Sequence, residues 1–163
     1  MASLRVVVAL VVALVAGTWA GGGVGIGAAQ VAAPLSFPRS TVEIVSAAGA
    51  RTTLAVELAE SPEQLTQGLM FRRSLAADAG MLFDFGQVEP VSMWMKNTLI
   101  PLDMIFIAAD GRIVSIAEDA VPESLAVISA PEPVRGVLEV NGGTAARLGL
   151  RTGDRVRHPM FGD

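Results

Sequence analysis

VSMWMKNTLIPLDMIFI, Val91 to Ile107, sets the reading of this chain. Its ends are apolar and its middle is polar, with Lys96 (the only lysine), Asn97, Thr98, a turn proline at Pro101, and Asp103. Short apolar runs bounded by turn residues read as strands. Val91 to Lys96 and Asp103 to Ala108 are therefore expected as strands joined by a connection over Asn97 to Pro101. A polar cluster between apolar strands is costly unless its members pair with each other or with a ligand. The stretch thus marks both the centre of the fold and the first place to look for a site.

Strand and turn signals continue on both sides. Downstream, Ala109-Asp110-Gly111 makes a hairpin turn into Arg112 to Ala117. Glu118 to Pro133 carries three prolines and reads as a long loop. Val134 to Val140 is a strand, Thr144 is expected to cap a short helix that Gly149 ends, and Arg155 to His158 is a final short strand. Upstream, Thr41 to Ser46, Thr52 to Ala59 and Met81 to Phe85 read as strands. Ser61-Pro62-Glu63-Gln64 is a strong helix start with a serine cap, proline in the first turn and Gln64 placed to close a capping box; Gly68 ends that helix. Many short strands, dense turns and two short helices predict a mainly β fold, a compact antiparallel β barrel or sandwich.

The N-terminus has a different character. Met1 to Arg5 is a short basic region, Val6 to Ala16 an apolar core, and small-residue cleavage points follow at Ala20, Ala29 and Ala33. A signal peptide is expected over residues 1–29, a flexible linker over 30–40 and one domain over 41–158. The competing reading is an uncleaved anchor, since no charge occurs between Arg5 and Arg39. The apolar core is shorter than the roughly 20 residues a span needs, and the glycines of GGGVGIG dilute it, so no stable span is expected after cleavage. Those glycines do not match the dinucleotide fingerprint either. With no cysteine, an exported chain must be held by its core alone, and lipidation on cysteine is excluded. Without Arg5 there remain 11 basic and 16 acidic residues and no basic block, which disfavours nucleic acid and anionic membrane as partners.

Several segments together resemble the bacterial and archaeal family DUF192. They are GLMFRRSL (Gly68–Leu75), GMLFDF (Gly80–Phe85), WMKNTLIPLDMIFI (Trp94–Ile107), DGRI (Asp110–Ile113), VLEVNGG (Val137–Gly143) and LGLRTGD (Leu148–Asp154). The likeness runs from about Val42 to Val156. It implies a compact, mainly β domain, often exported and assigned to no enzyme class, and it supplies neither a function nor catalytic residues.

If Val91 to Thr98 is extended, Ser92, Trp94, Lys96 and Thr98 share one face, and Val91, Met93, Met95 and Asn97 the other. An aromatic ring beside an ammonium and hydroxyls suits a ligand-facing surface. The candidate site is therefore Trp94, Lys96, Asn97, Thr98 and Asp103, with Arg72 as a further member able to fork onto Asp103 or a ligand anion. The bland alternative is a structural cluster in which Lys96 pairs with Asp103 and Trp94 is core.

Catalysis is harder to build. Ser92 and Lys96 lie about 13 Å apart on an extended strand, too far for proton transfer. A serine–histidine–acid triad would need His158, the only histidine, near the C-terminus. Asp103 and Glu139 could serve as an acid/base pair in an envelope hydrolase if they lay about 5 to 10 Å apart; Glu139 otherwise faces outward or pairs with an arginine. No Cys/His cluster for zinc or iron is present, and Met93 and Met95 form only a weak Cu(I) pattern, so no metal or cofactor is expected. The resulting expectation is a periplasmic or extracellular module that binds a small envelope-derived ligand or a protein partner.

Overall fold

The computed structural model describes residues 35–162. The leader expected over 1–29 lies outside them. Among the described residues there are nine strands: β1 (Arg39–Val45), β2 (Arg51–Ala59), β3 (Ala79–Glu89), β4 (Ser92–Met93), β5 (Leu102–Ile107), β6 (Ile113–Ala120), β7 (Ile128–Ser129), β8 (Val134–Asn141) and β9 (Arg155–Arg157). Two short helices, α1 (Pro62–Gln67) and α2 (Thr144–Leu148), and a 3-10 turn over Pro159–Phe161 complete the described residues.

Seven strands form one sheet in the order β6-β5-β8-β3-β2-β1-β9, and β4 with β7 makes a small second one. Pairing is antiparallel throughout except between β2 and β3, which α1 connects as a crossover. The large sheet curls into a half-barrel. Its outer strands approach at one end, where Ile113 N–H donates to Asp154 O (2.8 Å) and Val156 N–H to Gly111 O (2.8 Å). The mainly β architecture with two short helices is thus as the sequence predicts.

Local chemistry explains most elements. Ser61 and Gln64 form the expected reciprocal capping box of α1, and Gly68 closes it with φ +48°. The start of α2 differs from expectation. Gly143, at φ 78°, is the cap residue and offers no side chain, while Thr144 lies inside the helix and is buried. The orphan N–H groups there are taken up by Asp103 instead.

The central stretch differs too. Only Ser92–Met93 is strand, paired with β7 rather than with the main sheet. The loop after β6 supplies the missing partners: Met95 N–H donates to Ser124 O (3.1 Å) and Ala130 N–H to Val91 O (3.0 Å), while Glu123 N–H donates to Thr98 O (3.0 Å). That proline-rich loop is an ordered brace behind the Trp94 segment.

Both faces of the large sheet are covered. On one, Ile44, Leu54, Val56, Leu82, Ile105, Leu138 and Val140 pack with Ala145 of α2 and Phe161. On the other, Met81, Phe83, Met104, Phe106 and Val137 pack with Leu69, Val91 and Met95. β8 lies at the middle of the order, so its side chains are buried in both directions.

Candidate functional site

A pocket of about 320 Å³ opens on the second face, between the end of α1 and the Trp94 segment. Leu65 to Met70 form one wall, Ser92, Met93 and Trp94 the other, and Phe83, Phe85, Thr98 and Glu139 complete the lining. Two of the motif segments, GLMF and WMKNT, are therefore held against each other here. The clamp between them is a backbone hydrogen bond from Phe71 N–H to Asn97 O (2.8 Å). Both of these residues have left-handed backbone, Phe71 at φ 65° and Asn97 at φ 57°. Asparagine tolerates that region; for phenylalanine it is strained, and Phe71 is nonetheless 65% exposed. Gly68 has to be glycine, because a Cβ there would meet the Phe83 ring at 2.9 Å.

Glu139 is the chemically distinctive member. It lies on β8 opposite Met81 of β3 and Met104 of β5, and is 4% exposed. No hydrogen-bond donor or cation among the described residues meets its carboxyl, and burial alone pushes its pKa up to about 8. The expectation of an outward-facing residue or an arginine partner fails because β8 is central and covered on both faces. The nearby arginines are engaged elsewhere, Arg72 with Glu57 and Arg135 with Asp84.

The residues expected from the sequence separate into two groups. Trp94, 47% exposed, and Thr98, 5% exposed, line the pocket. Thr98 donates weakly to Lys96 O (3.4 Å), and Asn97 Nδ2 approaches Met70 Sδ (3.8 Å). Lys96 is exposed, with Nζ 5.1 Å from the Trp94 ring centroid, an arrangement worth about 0.5–1 kcal/mol at such a site. Asp103 and Arg72 lie elsewhere. Asp103 is fully buried on the opposite face of the sheet, where its carboxylate accepts from Ala145 N–H (2.7 Å), Asp119 N–H (2.9 Å) and Gly143 N–H (3.1 Å). Arg72 pairs with Glu57 and stacks over the Phe37 ring at 5.7 Å. No Lys96–Asp103–Arg72 network forms among the described residues.

The proposed acid/base pair separates for the same reason. Asp103 pairs in register with Val140, and Met104 with Glu139, so alternation sends the two carboxyl groups to opposite faces. His158 does contact a serine, with Nε2 2.9 Å from Ser40 Oγ. Its Nδ1 accepts from Met160 N–H (3.3 Å), which puts the ring proton on Nε2, donating to Ser40. That tautomer cannot take a proton from the serine. A larger open groove of about 930 Å³ runs beside this pair, along β1 and β9. Its charged groups already neutralise each other, Glu43 with Arg157 and Asp110 with Arg155. The smaller pocket is therefore the stronger candidate. What sequence reading missed there is the α1 wall and the unpartnered burial of Glu139; a carboxylate within the apolar run VLEVN was the available signal.

A family model, DUF192, described as "Uncharacterized ACR", matches residues 43–158. No curated protein sequence matches the chain. A crystal structure of a "putative transcription regulator" from Sinorhizobium meliloti 1021 is 54% identical, with TM-score 0.75, covering 77% of this chain and 97% of that one. A protein of unknown function from Novosphingobium aromaticivorans DSM 12444 is 39% identical, with TM-score 0.73, covering 81% of this chain and 94% of that one. With the motif segments, the curled sheet and a family match over most of its length, the chain belongs to the DUF192 family.

Proposed function

We propose that this protein is an exported ligand-binding module of the cell envelope, periplasmic or extracellular, whose site is the pocket between α1 and the Trp94 segment. The observation that carries the reading is Glu139, a buried carboxyl left without a partner among the described residues at the lining of an apolar pocket. A leucine or methionine at 139 would suit the neighbouring Met81 and Met104 better, and such local conflicts concentrate at functional sites. At about 320 Å³ the pocket is at the small end of the usual range for ligand sites. Export rests on the basic, apolar and small-residue order of the leader.

A regulator reading, borrowed from the Sinorhizobium relative, finds little support in the charge of this chain, which has 16 acidic against 12 basic residues.

The test is Trp94 fluorescence in the full chain carrying Trp19→Phe, which leaves Trp94 as the sole tryptophan. Small saccharides, peptides and amines of the envelope are titrated in turn. A saturable shift is expected, and it should disappear with Ser92→Phe, which exchanges the Ser92–Ser129 hydroxyl contact (2.8 Å) for a ring at the pocket lining. A shift that survives this block would put the site elsewhere. Absence of any shift across the panel would count against a binding module.

A further inference from the structure

We propose that the pocket takes a small primary amine with an apolar body, its ammonium group meeting the Glu139 carboxylate and its body lying against Met70, Phe83, Met93 and Trp94. This rests on the binding reading above and deepens it by naming the ligand class. Three features of the site favour a cation over a neutral guest.

The first is the missing counter-charge. Glu139 is nine-tenths buried or more, lines the pocket, and meets no donor or cation among the described residues. An ammonium supplies both in one contact, and a charge-assisted bond in a poorly solvated site is stronger than a neutral one. The second is the wall chemistry. Aromatic faces and polarisable thioethers tolerate a cation better than aliphatic walls do, and Trp94 already holds the ammonium of Lys96 5.1 Å from its ring centroid. The third is the surrounding charge. On its own face of the sheet Glu139 sees Met81 and Met104, both neutral. The next carboxylate, Glu57, is two strands away at about 10 Å and neutralised by Arg72. On the packed segments the ionisable groups are Glu63 in the first turn of α1, Arg73 beyond the GLMF wall, Lys96, and Glu123 of the loop that braces Thr98, all exposed; along β8, Arg135 is bound to Asp84. None of these repels an entering cation from the pocket itself except Lys96, which is directed onto Trp94.

Proton balance gives the reading a sign. An empty site holds Glu139 mostly as the neutral acid at pH 7, because burial raises its pKa to about 8. A cation binds the carboxylate, so the carboxyl proton leaves to solvent as the ammonium enters. Affinity then rises with pH, about tenfold per unit below pH 8, and levels off above it. A neutral acceptor would bind the protonated acid and show the opposite trend.

The experiment uses phenethylamine and its neutral counterpart 2-phenylethanol, titrated from pH 6 to 9 into the Trp19→Phe chain, with calorimetry in two buffers of different ionisation enthalpy. Expected are tighter binding of the amine as pH rises, release of about 0.9 proton per amine at pH 7, and loss of the pH trend with at least about tenfold weaker binding in Glu139→Gln. A flat or falling trend, equal binding of the alcohol, or an unchanged Glu139→Gln overturns the amine assignment. If in that case other ligands still give a shift that Ser92→Phe blocks, the pocket stands and only the ligand class fails. If neither amine nor any other ligand gives a blockable shift, both readings fail together.

Discussion

Replacing Glu139 with glutamine should abolish a pH dependence of stability that the wild type shows strongly. Burial raises the carboxyl from an ordinary 4.5 to about 8, so between these values the folded protein binds more protons than the unfolded chain. The contribution of Glu139 to stability is therefore fully present below pH 4.5 and is lost as pH rises through 8. At 1.36 kcal/mol per unit the full loss is about 5 kcal/mol, with roughly 3 kcal/mol gone by pH 7. Water at the mouth of the pocket relieves part of this, which places the expected loss nearer about 3 kcal/mol. For a domain of roughly 130 residues that corresponds to about 10 °C in Tm.

Glutamine keeps the shape and removes the titration, so the variant should match wild type near pH 4.5 and exceed it by that margin at pH 8.5. Differential scanning calorimetry of both proteins from pH 4.5 to 8.5 measures the gap. His158 contributes a slope of the opposite sign, since burial lowers its pKa, but it is common to both proteins and cancels in the difference. Parallel Tm curves for the two proteins would show that the carboxyl is solvated and that Glu139 does not mark a ligand site.

Asp103→Asn should cost about 2–4 kcal/mol in urea unfolding, because an amide group would then face N–H donors from three backbone positions, Asp119, Gly143 and Ala145; a loss below about 1 kcal/mol would mean water replaces it readily. Phe71→Gly should raise stability by about 0.5–1 kcal/mol by relieving the left-handed backbone at φ 65°, as measured by chemical denaturation; a loss would mean that the exposed ring packs in solution. Protonating His158 removes the acceptor for Met160 N–H, so lowering pH from 7 towards 5 should reduce the protection of the Met160 amide relative to its intrinsic exchange rate at each pH, and His158→Phe should remove that pH response. Gly80→Ala would set a Cβ 2.7 Å from the Glu139 carbonyl oxygen, between two central strands that cannot part easily. A cost of about 2–4 kcal/mol is expected, with a changed Trp94 emission reporting the shift of β8.

How much of this was legible beforehand depended on whether each feature is local. The Ser61 capping box, the Gly68 and Gly149 helix ends and the Asp110-Gly111 turn are short-range rules, and all appear where the sequence puts them. Strand periodicity also survived, since Val91, Met93, Met95 and Trp94, Lys96 keep their opposite faces as far as Lys96. Then the Asn97 turn breaks the alternation and buries Thr98, which the extended reading had placed beside Lys96. The parallel pairing of β2 with β3 has no local signature, and without it nothing brings α1 over the second face to build a pocket wall. The brace of Val91 to Thr98 by the proline-rich loop is likewise long-range. Arg72 was misplaced because an arginine's partner is set by which strand lies opposite, and here that strand carries Glu57.

Asp103 and Glu139 show how much a single step along a strand decides. They sit on adjacent antiparallel strands, one register position apart, and both are almost wholly buried. Read along the chain they look equivalent, two acids in apolar runs, and the sequence invites treating them as a pair. The pleat separates them. On one face the start of α2, opened by Gly143, presents N–H groups that need an acceptor, and Asp103 satisfies three backbone donors at once. On the other face Glu139 lies between Met81 and Met104 at the lining of the pocket, and no donor or cation among the described residues answers it. A buried acid with both oxygens engaged is explained by the fold it holds. A buried acid with none engaged is a standing cost of several kcal/mol whenever it ionises, and the fold gains nothing from it in return. That asymmetry is why Asp103 is best read as architecture and Glu139 as the residue a ligand would complete.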